Sequence, residues 1–86
     1  ALIKYHNDLT VQIKTSPMRK GERSGRVKVM QRRLGALGFD IGTPDGIFGR
    51  MTKRRVKQFQ RVNRLQQDGI CGAGTWGEMW GDEPLS

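Results

Sequence analysis

From Ser24 onward the apolar positions fall at helical spacing: Val27, Met30, Leu34 and Leu37 are three or four residues apart, as on one face of a helix. Ser24 has the short oxygen-bearing side chain that caps a helix start. Gly38 follows the last apolar position with the left-handed freedom that ends one, so a first helix is predicted over 26–37. A second is predicted over 50–62, with Thr52, Val56, Phe59 and Asn63 facing inward. At about 100° per residue, Arg50, Arg54, Lys57, Arg61 and Arg64 gather on nearly the opposite side. Asn63, the usual substitute for Gly in left-handed backbone, is expected to end this helix. A third, shorter helix over 74–79 is opened by Thr75 and presents Trp76, Met79 and Trp80. Residues 81–86, Gly-Asp-Glu-Pro-Leu-Ser, then read as a linker.

Ahead of these helices, Leu9, Val11 and Ile13 alternate with Thr10, Gln12 and Lys14, the period of a half-buried strand. A lone strand is unstable. It would lie along the helices, pair with Leu2–Tyr5 through a turn at Asn7-Asp8, or pair with another chain. Residues 1–17 are therefore read as an N-terminal arm or short strand, and 18–80 as the domain proper.

Between the predicted helices a segment occurs twice. Asp45-Gly46-Ile47-Phe48-Gly49-Arg50-Met51-Thr52 and Asp68-Gly69-Ile70-Cys71-Gly72-Ala73-Gly74-Thr75 share Asp-Gly-Ile-x-Gly-x-x-Thr, the second copy 23 residues after the first. Each copy sits just before a helix, so one loop design launches two helices. Asp-Gly predicts a turn with a positive-φ residue, Ile is expected in the core, and Thr is expected to start the helix.

Around the repeat stand Met18-Arg19-Lys20-Gly21, Val27, Met30-Gln31, Leu34, Leu37-Gly38-Phe39, Val56, Phe59-Gln60, Leu65 and Thr75-Trp76. This ordered series, from Met18 to Met79, resembles the peptidoglycan-binding domain found in endolysins, amidases and carboxypeptidases. The resemblance implies an all-α fold, a small three-helix bundle with two similar Asp-Gly-Ile loops, to which the reading above adds an extended N-terminal arm. It also implies non-catalytic binding of peptidoglycan, its glycan strands and stem peptides, on behalf of a covalently linked wall hydrolase, of which a phage endolysin is the expected kind. Two departures from the family pattern stand out: Asn63-Arg64-Leu65 where an Asn/His-Gly-Leu step is usual, and Cys71 in place of Val.

Composition narrows the alternatives. Eighty-six residues, 35% apolar, suit one compact domain. The chain shows no secretory signal and no run long enough to span a bilayer, so membrane insertion is not expected and action is expected at the wall or in the periplasm. One His and one Cys supply too few ligands for a zinc site, and no cofactor is expected. Cys71 occupies the small apolar slot of the second repeat and reads as inert packing. No pair of carboxylates is spaced for glycosidic chemistry, and Asp45 and Asp68 are explained by loop capping, so the domain is not expected to be an enzyme.

Sixteen Lys and Arg against eight Asp and Glu give a net charge of +8, which points to an anionic partner. The stripe from Arg50 to Arg64 reads first as a solvated face. Its run Lys53-Arg54-Arg55-Val56-Lys57 also supports the alternative of a basic three-helix nucleic-acid-binding domain, although the paired loops have no use there and nucleic acid is not the expected partner. The candidate peptidoglycan-binding residues are Phe39, Asp45, Gly46, Phe48, Arg50, Asp68, Gly69, Thr75, Trp76 and Trp80. Among the aromatic residues, Phe59 and Trp76 are expected in the core, and Phe39 and Trp80 are expected to be partly exposed, where a ring can pack on a sugar face.

Overall fold

The computed structural model describes residues 2–81, with side chains from residue 7 onward. The proposed linker at 82–86 lies outside the described residues. Among the described residues four helices follow one another: α1 Leu2–Thr15, α2 Gly25–Ala36, α3 Arg50–Val62 and α4 Ala73–Trp80. The all-α class and the three expected helices are present, their bounds within one residue or two of expectation.

The strand expected over Leu9–Lys14 is instead the last part of α1. Leu9 and Ile13 are four residues apart and both buried, while Val11 between them is 63% exposed. A spacing of four puts two residues on one helix face and a spacing of two does not, so the burial pattern is helical. Pro17 follows two residues after the helix, as is common where a chain cannot continue one.

α1 packs on α4, and α2 packs on both α3 and α4. One core joins Leu9 and Ile13 of α1 to Met18, Val27, Met30, Leu34, Phe48, Val56, Phe59, Cys71, Trp76 and Met79. Trp76 Nε1 donates to Thr10 Oγ1 at 3.0 Å and so ties α4 to α1 through its polar edge. The connector between α1 and α2 touches both loops in turn. Met18 and Cys71 exchange backbone hydrogen bonds at 3.0 and 2.8 Å, and Gly21 N donates to Phe48 O at 2.9 Å while Phe48 N donates to Glu22 O at 2.8 Å.

Helix ends follow the local sequence. Ser24 caps α2 through its side chain, which accepts from Val27 N. Past its end, Gly38 lies at φ 96°, Phe39 N donates to Leu34 O at 3.0 Å and Gly38 N to Gly35 O at 3.0 Å, which is a Schellman motif. α3 closes the same way, with Leu65 N on Gln60 O at 2.7 Å and Arg64 N on Arg61 O at 3.2 Å. Here the left-handed residue is Arg64, at φ 58°, and not Asn63, at φ −96°. Asn63 is the last residue before the turn, and its amide donates to Phe59 O at 2.9 Å.

Candidate functional site

Each Asp-Gly-Ile loop is folded around a buried glutamine from the preceding helix. Gln31 of α2 accepts from Asp45 N at 3.0 Å and Gly46 N at 2.9 Å. Its Nε2 lies 3.1 Å from Asp45 Oδ1 and 3.0 Å from both Ile47 O and Thr52 Oγ1. Gln60 of α3 repeats the arrangement on the second loop. It accepts from Gly69 N at 3.0 Å, and its Nε2 lies 2.9 Å from Asp68 Oδ1 and 3.0 Å from Ile70 O and Thr75 Oγ1. Both glutamines are 1% exposed, and their bonds to Gly46 N, Thr52, Gly69 N and Thr75 are buried, where an unmade one is costly.

This explains the spacing of the repeat. Asp45 and Asp68 each accept from the N–H two residues on, at 2.9 Å, closing the turn. Those N–H groups of Ile47 and Ile70, and then the Gln31 and Gln60 amides, hold both carboxyls below the ordinary carboxylate range. The positive φ expected at the Gly is found: 79° at Gly46 and 72° at Gly69. Thr52 and Thr75 do not open their helices. The cap positions are Gly49 and Gly72, and each threonine, three residues further, turns its hydroxyl to the glutamine instead. Nor does Ile47 enter the core, being 40% exposed; the next residue of each copy, Phe48 and Cys71, points inward where the loop pairs with the connector.

Beside the second loop is an open cleft of about 310 Å³, lined by Pro17, Gln60, Leu65, Gln66, Asp68, Ile70, Gly72, Gly74 and Thr75. Asp68 and Thr75 are the sequence-derived candidates found there, and Gly69 is buried next to it. Asp45, Gly46 and the exposed Arg50 belong to the first loop and the start of α3. Phe48 and Trp76, each 1% exposed, are core residues. Phe39 is half-buried, edge-on to Phe59 with ring centroids 5.6 Å apart. Trp80 is half-buried against Trp76 at 5.5 Å, and the Arg33 guanidinium sits 4.7 Å from its ring while Arg33 Nε donates to Met79 O at 2.8 Å. The ten candidates therefore do not converge on one groove, and the Trp80 ring is already covered by a cation.

The residues missed by sequence reasoning as site components are Gln31 and Gln60. A signal exists, since Val27-Lys28-Val29-Met30-Gln31-Arg32 and Val56-Lys57-Gln58-Phe59-Gln60-Arg61 are a second repeat, Val-Lys-x-apolar-Gln-Arg, carrying the clamp for each loop. Burial pushes the Cys71 thiol up to about 12, which removes it as a nucleophile. Among the described residues no three His, Cys, Asp or Glu are grouped to hold a metal, and no helix is long and apolar enough to cross a membrane.

Residues 23–79, which hold both loops and both clamps, match the family described as peptidoglycan binding domain. The chain is 38% identical over 73 residues to the type VI secretion system spike protein VgrG3 of Vibrio cholerae, covering 70% of this chain and 7% of that protein. It is 45% identical over 49 residues to the N-acetylmuramoyl-L-alanine amidase CwlM of Mycobacterium tuberculosis, covering 57% of this chain and 12% of the amidase. It thus spans a small part of these relatives. Among solved structures, a peptidoglycan-binding protein from Clostridioides difficile, in complex with glutamine hydroxamate, superposes with a TM-score of 0.72 at 38% identity, over 77% of this chain and 41% of that one. The N-terminal domain of SleB also gives 0.72, at 33% identity, over 74% of this chain and 88% of that domain. With the fold, the duplicated loop and the sequence in agreement, the chain belongs to the peptidoglycan-binding domain family, whose members are non-catalytic modules acting at the cell wall.

Proposed function

We propose that the cleft beside the second loop holds a stem peptide of peptidoglycan, and that this grip keeps a covalently linked wall hydrolase, of the endolysin or amidase kind, on its polymer. The observation that carries this reading is the lining of the cleft. The polar groups it presents are the exposed amide of Gln66, the Asp68 carboxylate and the backbone of Gly72 and Gly74, while Gln60 and Thr75, bonded to each other in the clamp, form its buried wall. The first bond inside α4 runs from Trp76 N to Gly72 O, so the N–H groups of the opening turn have no partner within the helix. Amide donors and acceptors of this kind match the peptide unit, which offers one of each. A sugar ring would call for an exposed aromatic face, and the lining contains none. Weak, reversible attachment is enough for such a role, because tethering raises the effective concentration of the linked enzyme at its substrate.

Gly74→Phe tests the cleft without disturbing the fold. A Cβ at Gly74 meets nothing within 4 Å, and replacing a helical glycine by a better helix former is neutral or favourable. The variant is expected to melt at or above the wild-type temperature and to bind purified sacculi at least about tenfold more weakly, a change of roughly 1.4 kcal/mol. Undiminished binding by a folded Gly74→Phe protein would place the ligand elsewhere.

A further inference from the structure

Between residues 50 and 64 the chain carries seven Lys or Arg and no Asp or Glu. Arg50, Arg54, Lys57, Arg61 and Arg64 are all exposed, and none has a carboxylate within ion-pair distance among the described residues. The helix dipole does not account for the stripe: Arg61 lies in the last turn of α3, where a cation is favoured, but Arg50 stands at the positive end, where one is disfavoured. The position of the stripe is also specific. Lys53 and Lys57 lay their stems across Gly69: a Cβ there would fall 2.8 Å from Lys53 Cγ and 3.3 Å from Lys57 Cγ. Gly69 follows Asp68, and Arg61 follows Gln60, and both Asp68 and Gln60 line the cleft. The cationic face therefore ends at the rim of the cleft.

We propose that this face is a second contact with the wall, in which Arg54, Lys57 and Arg61 bind free carboxylates of stem peptides neighbouring the one held in the cleft; its placement rests on the reading of the cleft given above. The chemistry of the partner follows from what the stripe has and what it lacks. It offers cations about one helical turn, roughly 5.4 Å, apart. It has no aromatic ring on which a nucleobase could stack. The exposed apolar residues of α3 are two, Met51 and Val62, near opposite ends of the helix, and two separated side chains do not make the continuous apolar face that anchors a helix on a lipid surface. What remains is recognition of exposed anions alone, and carboxylates recurring along the polymer that the family binds satisfy it.

The test compares native sacculi, sacculi whose carboxylates have been amidated with carbodiimide and ammonia, and sacculi stripped of phosphate-bearing polymers by acid. Three proteins are sedimented with each: wild type, Arg54→Gln/Lys57→Gln/Arg61→Gln, and the charge-retaining Arg54→Lys/Lys57→Arg/Arg61→Lys. Glutamine keeps the helix and removes only charge. On native sacculi the glutamine variant is expected to bind about tenfold more weakly, from roughly twofold per exposed ion pair. The charge-retaining variant is expected to bind like wild type. Amidation should weaken wild type by a similar factor and leave the glutamine variant unchanged, and stripping should change neither. Equal binding of wild type to native and amidated sacculi overturns the proposal whatever the variants do, even if the glutamine protein fails to fold. Loss of binding on stripping but not on amidation overturns it in favour of a phosphate polymer, and tight binding of duplex DNA at physiological salt overturns it in favour of nucleic acid. Failure of the cleft reading is separately visible, as an unaffected Gly74→Phe protein on all three preparations.

Discussion

Gln31 is the residue whose loss the structure prices most clearly. Its Nε2 carries two protons for three acceptors, two of which therefore share one, and its Oε1 accepts two backbone N–H groups, so about four hydrogen bonds depend on it. At about 1 kcal/mol net for each, Gln31→Ala forfeits ~4 kcal/mol, with Gly46 N left buried and unpaired. A domain of this size is stable by only ~4–13 kcal/mol in total. At about 4–8 °C per kcal/mol, the melting temperature measured by circular dichroism should fall by ~15–30 °C. Gln31→Glu refines the test, because it keeps the shape and the acceptor but turns a carboxylate toward Asp45 and the Ile47 carbonyl. Burial and that neighbour raise its folded pKa above the unfolded value of about 4.3, since only the protonated acid can still donate. Its contribution is therefore fully present below the unfolded value and is lost as pH rises through the raised one, so the deficit relative to wild type should be wider at neutral pH than at mildly acidic pH. A Gln31→Ala protein melting within a few degrees of wild type, or a Gln31→Glu deficit that ignores pH, would refute the claim that the clamp holds the loop.

Three further outcomes follow from particular residues. Gly69→Val should lose about 2–3 kcal/mol in urea unfolding, because a β-branched residue is strained at φ 72° and its Cβ would strike the Lys53 stem; an unchanged midpoint would contradict the turn as described. Arg64→Gly should instead stabilise by about 0.5–1 kcal/mol, since Arg64 holds the left-handed position of a Schellman turn, and a lower midpoint would show that its side chain contributes more than its backbone loses. Cys71, 0% exposed with its thiol pushed up to about 12, should resist a thiol reagent at mildly alkaline pH until the chain is denatured, and rapid labelling of the native protein would contradict that burial.

The helices were legible because their apolar residues recur every three or four positions, as Val27, Met30 and Leu34 do, and because burial of one face leaves that mark on any helix. α1 differs from the expected strand for a related reason. Leu9, Val11 and Ile13 fit a period of two, and the pair that matters, Leu9 and Ile13, fits a period of four equally well, so a short window does not distinguish them. The loops were legible as a repeat, and their positive-φ glycines followed from Asp-Gly. What holds them was not. Gln31 and Gln60 recur in the Val-Lys-x-apolar-Gln-Arg repeat, but that repeat does not name their partners, Asp45 and Asp68, which lie 14 and 8 residues away and meet them only through the fold. Propensity favours threonine at the helix start, but a glycine already stands there and the hydroxyl has a better partner in the clamp. The cleft was half legible for the same reason: Asp68 and Thr75 were visible in the motif, whereas Pro17, Leu65 and Gln66 join it only through the fold.

Binding of the wall without cutting it is measured by mixing the purified protein with purified sacculi, sedimenting them, and assaying both fractions. Protein is expected in the pellet, displaced by added soluble peptidoglycan fragments, with no muropeptides released into the supernatant. Protein left in the supernatant, or muropeptides appearing there over a buffer control, would contradict that expectation.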